Sequence, residues 1–244
     1  MENVFNQGES GAETTGGQEL QAEQKRSWGR RIFYYVIGLF ILALGVSVSV
    51  KADLGISPVS AIPYVLSLVT PLEMGITTII VFTTYVLLQV VLLRKRFKIK
   101  NLLQIVCGVM FGSFVSVTNR LMLFDTPSFY PLRLVMLFVS IVLIAVGLMF
   151  FLAADIMPQP PEGLMLAIEE LTGFPFAKLK IAFDCTVVLI AAAIGLICTH
   201  SLIGVREGTV ISAVLVGSVL SILKKRFGAG VQAFLVKKEA PKNA

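Results

Sequence analysis

The chain has 244 residues, is 56% hydrophobic and has a mean hydropathy of +0.84. Only 15% of its residues are charged, against about 25% in soluble proteins, which excludes a water-soluble globular protein: too much apolar surface would face water. The net charge of +6 does not point to nucleic acid, because Lys and Arg cluster beside apolar runs, where membrane topology accounts for them.

Residues 1–27 are mostly polar and are expected to form a disordered cytoplasmic tail. The first apolar run starts only at Ile32, which is not the layout of a signal peptide. From Ile32 to Val50 the run is long enough to cross a bilayer core of roughly 30 Å at about 1.5 Å per residue. An apolar but interrupted segment, 51–74, follows. Gly75–Leu93 is a second span, and Arg94–Lys100 is a dense basic connector. Leu102–Thr118 is a third span. A loop with Arg120, Asp125 and Pro127 leads to a fourth, Leu132–Ala153. Residues 155–177 are a second interrupted segment. Leu179–Cys198 and Thr209–Leu223 complete six spans, and Lys224-Lys-Arg226 closes the last. The expected membrane domain is 28–226, followed by a short basic cytoplasmic tail, 227–244. With the amino terminus inside, 17 basic residues fall on the cytoplasmic side and four (Lys51, Arg120, Arg133, Arg206) outside. That bias places both termini in the cytoplasm.

The two interrupted segments repeat one design. At an offset of 102 residues, Ala43 meets Ala145, Gly45 meets Gly147, Asp53 meets Asp155, Pro58 meets Pro160 and Thr70 meets Thr172. In the last span of each half the offset becomes 105, and Gly108 and Gly112 meet Ala213 and Gly217. The matches fall on Gly, Pro and Asp, which apolar bias does not supply. The halves, 32–123 and 132–226, each hold three spans. An odd number turns the second half upside down, a recurrent plan of secondary transporters, whose sites lie near the midplane at broken helices. The expected fold is therefore all-α: a polytopic helix bundle of two inverted three-span repeats, each with a short broken or re-entrant helix.

Residues 58–69 make about 18 Å of helix, too short to span. Ser57 is placed to cap this helix, and Pro58 suits a first turn that needs no N–H. Pro160, Pro161 and Glu162 mark the same start in the second copy. A helix start aims free N–H groups and a positive dipole end at its surroundings. Ser57 and Ser60 would suit an anionic or carbonyl-bearing solute, whereas Glu162 would favour a cation or satisfy the dipole. Two readings stay open: interfacial helices covering the bundle ends, or re-entrant helices lining a site.

Asp184 is an ionisable residue within a span, which is costly and often functional; the bland alternative is an ion pair with Lys180 one turn earlier. Arg206 and Glu207 either gate an outer entrance or sit solvated in a loop. Asp53 and Asp155 end spans, as caps or cation ligands. Gly108, Gly112, Ala213 and Gly217 form small-residue faces, expected between the halves and also compatible with a homo-oligomer. His200 stands alone at a span end. Cys107, Cys185 and Cys198 lie in apolar runs and are expected to be buried thiols. No catalytic constellation, metal motif or phosphate loop is legible, so no enzyme, metal or cofactor is expected.

Lys51-Ala-Asp-Leu-Gly-Ile-Ser-Pro58, Met157-Pro-Gln-Pro-Pro-Glu-Gly-Leu-Met165, Lys180-Ile-Ala-Phe-Asp184 and Gly204-Val-Arg-Glu-Gly-Thr-Val-Ile-Ser212 together resemble the YczE/YyaS/YitT family of bacterial integral membrane proteins. The resemblance covers 32–226. It implies a multi-pass protein of the bacterial plasma membrane and supplies no catalytic residue to transfer. The function expected is a secondary transporter or permease for a small polar solute, with the lipid bilayer and that solute as partners. The alternative is a non-transporting membrane protein that binds or regulates a cytoplasmic partner through the basic 94–100 connector.

Overall fold

The computed structural model describes residues 28–235; the expected tail at 1–27 and the end of the second tail, 236–244, lie outside the described residues. The described chain is all-helical: α1 Trp28–Ala52, α2 Pro58–Val69, α3 Met74–Leu93, α4 Leu103–Leu121, α5 Tyr130–Ala154, α6 Pro160–Thr172, α7 Phe176–Thr199 and α8 Glu207–Leu235. Two short 3-10 turns carry the basic connector after α3. Six helices are long and apolar enough to cross a membrane. The short helices α2 and α6 are the two interrupted segments. α8 continues to Leu235, past Arg226 where the sequence ends the sixth span. No proline interrupts residues 224–235, and the helix runs through Gly228 and Gly230.

The central pair is α1 and α5, the most extensive contact in the bundle. They run antiparallel: Arg31, near the start of α1, reaches the end of α5, while Asp53, just past the end of α1, meets Arg133 near the start of α5. Between these ends the backbones touch. A Cβ on Gly38 would lie 2.6 Å from Phe151 N, and one on Gly147 would lie 2.6 Å from Leu42 N. Within a bilayer no hydrophobic force joins helices, so close backbone approach through small residues does much of that work.

The remaining elements pack reciprocally around this pair. α1 packs on α4 as α5 packs on α8, and α2 packs on α7 as α6 packs on α3. One pairing breaks the pattern. α3 and α4 interlock where Gly75 and Gly112 meet, a Cβ on Gly112 lying 2.5 Å from Gly75 O. α7 and α8, their counterparts, make almost no contact with each other. Their most apolar windows are 17% buried, against 39–50% in the other four long helices. That corrects two expectations. Cys107 is buried, but Cys185 and Cys198 are exposed, because α7 is peripheral. Gly112 packs within its own half, and of that face only Gly108 reaches the other half, at Pro160 Cγ. Gly217 packs on nothing, with no atom within 4 Å of a built Cβ.

This asymmetry has a measurable consequence. Gly112→Ala must displace the α3 backbone and is expected to cost about 1–3 kcal/mol. Gly217→Ala gains helix propensity in open space and is expected to leave stability unchanged or slightly raised. Thermal unfolding of the two variants in detergent compares them. Equal shifts would contradict the packing described.

Candidate functional site

The site is built by the two short helices. The chain leaves α1 at Ala52, and Asp53 turns it back with a left-handed backbone, φ 49°. The next residues run inward between the long helices. Leu54 O accepts the Gly208 N–H at 2.7 Å, and Ser49 Oγ donates to Gly55 O at 3.2 Å. These bonds shield non-helical backbone, which a membrane tolerates only where protein or water covers it. Gly55 has φ 95° and lies against Thr209 and Arg206, so a side chain there is excluded twice over. Pro58 then starts α2. Ser57 holds the N-cap position, but its hydroxyl makes no capping bond, contrary to expectation; it lines the cavity described below.

The second copy repeats the route with different chemistry. Asp155 turns the chain at φ 48°, Gln159 is the N-cap of α6, and Pro160 and Pro161 occupy its first turn. Two prolines remove two N–H groups from this helix start. Glu162 Oε2 accepts the N–H of the N-cap residue Gln159 at 3.3 Å, and the Gly163 N–H goes to Gln159 O at 2.8 Å. The Pro160 carbonyl is held by Gln89 Nε2 at 3.2 Å, and the same nitrogen donates to Gln104 Oε1 at 3.0 Å. Gln104 fits against Gly163, where a Cβ would lie 2.3 Å from its Oε1.

Between the two helix starts lies a cavity of about 620 Å³. Ser57, Pro58 and Ser60 line it from α2's side, and Gln159, Pro161 and Glu162 from α6's side. α7 contributes Lys180 and Asp184. α8 contributes Ser212 and the small-residue face Ala213 and Gly217. The rest of the wall is mainly aliphatic and aromatic, drawn from every helix except α3. The gap between α7 and α8 is thus part of the cavity wall. Lys180 Nζ donates to Asp184 Oδ1 at 2.7 Å, within a turn of one helix. Among the described residues no cation is bonded to Glu162, whose partner is the Gln159 N–H. Burial pushes its carboxyl above the usual carboxylate range, while the Gln159 N–H and the charges of Lys180 and Lys224 pull the other way.

The structure brings Ser57, Pro58, Ser60, Glu162 and Asp184 to this cavity; Pro160 begins the helix whose next residues line it, and its carbonyl is turned to Gln89. Asp53, Arg206 and Glu207 lie elsewhere, at the bundle end where α1 stops. Asp53 Oδ2 meets Arg133 Nη1 at 3.2 Å and Arg206 Nη1 at 3.5 Å, and Arg206 also donates to Asp53 O at 2.8 Å. Arg206 reaches Glu207 at 3.6 Å. This cluster ties the first inward loop to the start of α8. His200 ends α7 with a left-handed backbone and is exposed.

Sequence reasoning missed four residues. Arg31 donates to Ala154 O at 2.8 Å and to Asp155 O, and its guanidinium lies 4.0 Å from the Asp155 carboxylate. Arg133 and Asp53 form the corresponding contact at the other end of the central pair. The signal was available, since Arg31 and Arg133 are themselves 102 residues apart. Gln159 and Ser212 carried no such signal. Both are buried and line the cavity, and Gln159 Nε2 and Ser212 Oγ have no hydrogen-bond partner among the described residues.

Six membrane-length helices, two short inserted helices and an apolar-walled cavity between them define a multi-pass integral membrane protein in contact with the lipid bilayer. The chain belongs to a family of unknown function, DUF6198, whose pattern matches residues 29–225. It is 30% identical over 188 residues to the uncharacterized membrane protein YczE of Bacillus subtilis (strain 168), covering 77% of this chain and 82% of that one. It is 26% identical over 197 residues to the uncharacterized protein YyaS of the same organism, covering 79% and 91%. No solved structure matches the chain.

The reciprocal arginines differ in what they hold, and that sets a test. Arg31 binds main-chain carbonyls, and its side chain is only 17% exposed, whereas the Asp155 side chain is 74% exposed. Arg31→Ala is expected to cost roughly 1–3 kcal/mol, as for a charged donor removed from half-buried acceptors. Asp155→Ala should change stability by less than about 0.5 kcal/mol. Denaturation midpoints of the two variants report this directly, and an equal loss would show that the carboxylate, not the carbonyls, is the partner that matters.

Proposed function

We propose that this protein is a secondary transporter, not an enzyme, moving a small solute through the cavity between the starts of α2 and α6. The observation that carries the reading is that both half-helices begin at one cavity, where ionisable and hydroxyl side chains meet an apolar wall. Reciprocal packing, and the paired contacts Arg31–Asp155 and Arg133–Asp53, support two inverted repeats, 32–123 and 132–226. The basic bias supports a plasma-membrane protein with both termini cytoplasmic. The charged end of the cavity, at Glu162 and Lys180, then faces the cytoplasm, because Arg31 at the start of α1 touches the end of α5 from which this half-helix segment departs.

In inverted repeats the two halves can exchange conformations, which alternates access around a fixed site. Here the first half is closed, with α3 on α4, and the second is open, with α7 apart from α8. Closure would bring α7 onto the Ala213 and Gly217 face while α3 and α4 separate. Glu162, Asp184, Ser57 and Ser60 contact the solute in this scheme.

Solute flux in proteoliposomes, screened over charged and neutral small molecules, tests the reading. Glu162→Gln and Asp184→Asn should each reduce flux at least ten-fold while eluting as folded protein. Wild-type rates in both variants would remove these residues from the site.

A further inference from the structure

We propose that the solute is an organic monocation with an apolar body, bound at Glu162 in exchange for a proton. This rests on reading the cavity as the solute site. Of the three charged side chains in its wall, Lys180 is already bonded to Asp184 at 2.7 Å. The wall therefore sums to one negative charge, and that charge is Glu162. A carboxylate in an apolar enclosure must be neutralised, by a proton or by a cation.

The geometry selects among cations. A dehydrated metal ion needs about six oxygen ligands in a tight shell. No three of His, Cys, Asp and Glu come together among the described residues, and a volume of about 620 Å³ is that of a site for an organic molecule. Leu148, Val216, Phe111 and Phe176 offer apolar contact, and aromatic faces also attract cations. An anion is disfavoured at this end of the cavity. Pro160 and Pro161 leave the start of α6 without two of its N–H groups, the Gln159 N–H is taken by Glu162, and the Gly163 N–H by Gln159 O. At the start of α2, the Ser60 N–H is taken by Ser57 O at 3.0 Å. Gln159 Nε2, buried and without a partner, is a donor left over for an acceptor atom on the bound molecule.

The exchange balances. The protonated Glu162 carboxyl loses its proton to water as the cation binds, and the cation forms the ion pair with the carboxylate. The ionisable groups around Glu162 are Lys180 and Asp184 on α7, Lys224 on α8, Tyr35 on α1 and Cys107 on α4. Lys180 and Lys224 are the cations among them. Lys180 is bonded to Asp184, and Lys224 is exposed at the far part of α8.

Two probes of one shape and opposite charge, tetraphenylphosphonium and tetraphenylborate, decide the matter by calorimetry on the detergent-purified protein. The phosphonium should bind and the borate should bind at least ten-fold more weakly. Phosphonium affinity should fall as pH is lowered, approaching ten-fold per pH unit, with proton release approaching one per ligand in weakly buffered solution. Glu162→Gln should abolish binding and release together, while Glu162→Asp should keep both with a shifted pH profile. Preference for the borate, or pH-independent phosphonium binding that survives Glu162→Gln, overturns the proposal. If phosphonium binds as described but crosses protein-containing liposomes no faster than protein-free ones, the ligand class stands and the transport reading falls. If only neutral or anionic solutes are moved, the transport reading stands and the ligand class falls.

Discussion

Everything in this bundle is hung on the antiparallel contact between α1 and α5. Lipid tails are as apolar as the side chains, so helix association must come from close packing and polar contacts. Gly38 and Gly147 supply the close packing, and the two arginines supply the polar contacts at the two ends. The same arginines fix where each helix stops, because Asp53 and Asp155 sit at the two turning points. Each inward loop starts one residue later. The position of both half-helices, and so of the cavity between them, follows from that one pair.

The half-helices bring a second constraint. Their approach segments carry backbone groups that lipid cannot satisfy. The structure meets these locally, with Gly208 on the first loop and Gln89 on the second. Thr77 Oγ1 on α3 also donates to Pro63 O at 2.7 Å, tying the middle of α2 to its neighbour. The two copies share a backbone route and differ in chemistry. One presents hydroxyls to the cavity and the other a carboxylate. The cavity thus has a polar end and a charged end separated by apolar wall.

Much of this was legible in the residues. Pro58 and Pro160 mark helix starts because proline fits a first turn, and both helices begin there. Six apolar runs gave six long helices, the first starting four residues earlier, at Trp28, and the last ending twelve residues later, at Leu235. Glu162 stands at a helix start that the repeat marks, whereas Asp184 was legible only as an ionisable residue within a span, and its ion pair with Lys180 is present. Other features were not legible. Small residues permit close approach but do not name a partner, so Gly112 and Gly217 read alike and pack differently. Cysteine in an apolar run reads as buried, yet a peripheral membrane helix turns it outward. Gln159 and Ser212 look like ordinary polar residues until the cavity beside them is seen.

The central claim is that α1 and α5 form a fixed frame while α7 and α8 are the moving pair around the cavity. Electron spin–spin distances in lipid nanodiscs test it. One label pair would sit at the exposed Cys185 of α7 and at Ile222→Cys of α8, in a protein lacking the other cysteines. The control pair would bridge the frame at Ile32→Cys and Val139→Cys, both exposed and away from the cavity wall. The account predicts one narrow distance for the frame and two populations for α7 and α8, whose ratio shifts with pH. A single unchanging distance for both pairs under every condition would contradict it.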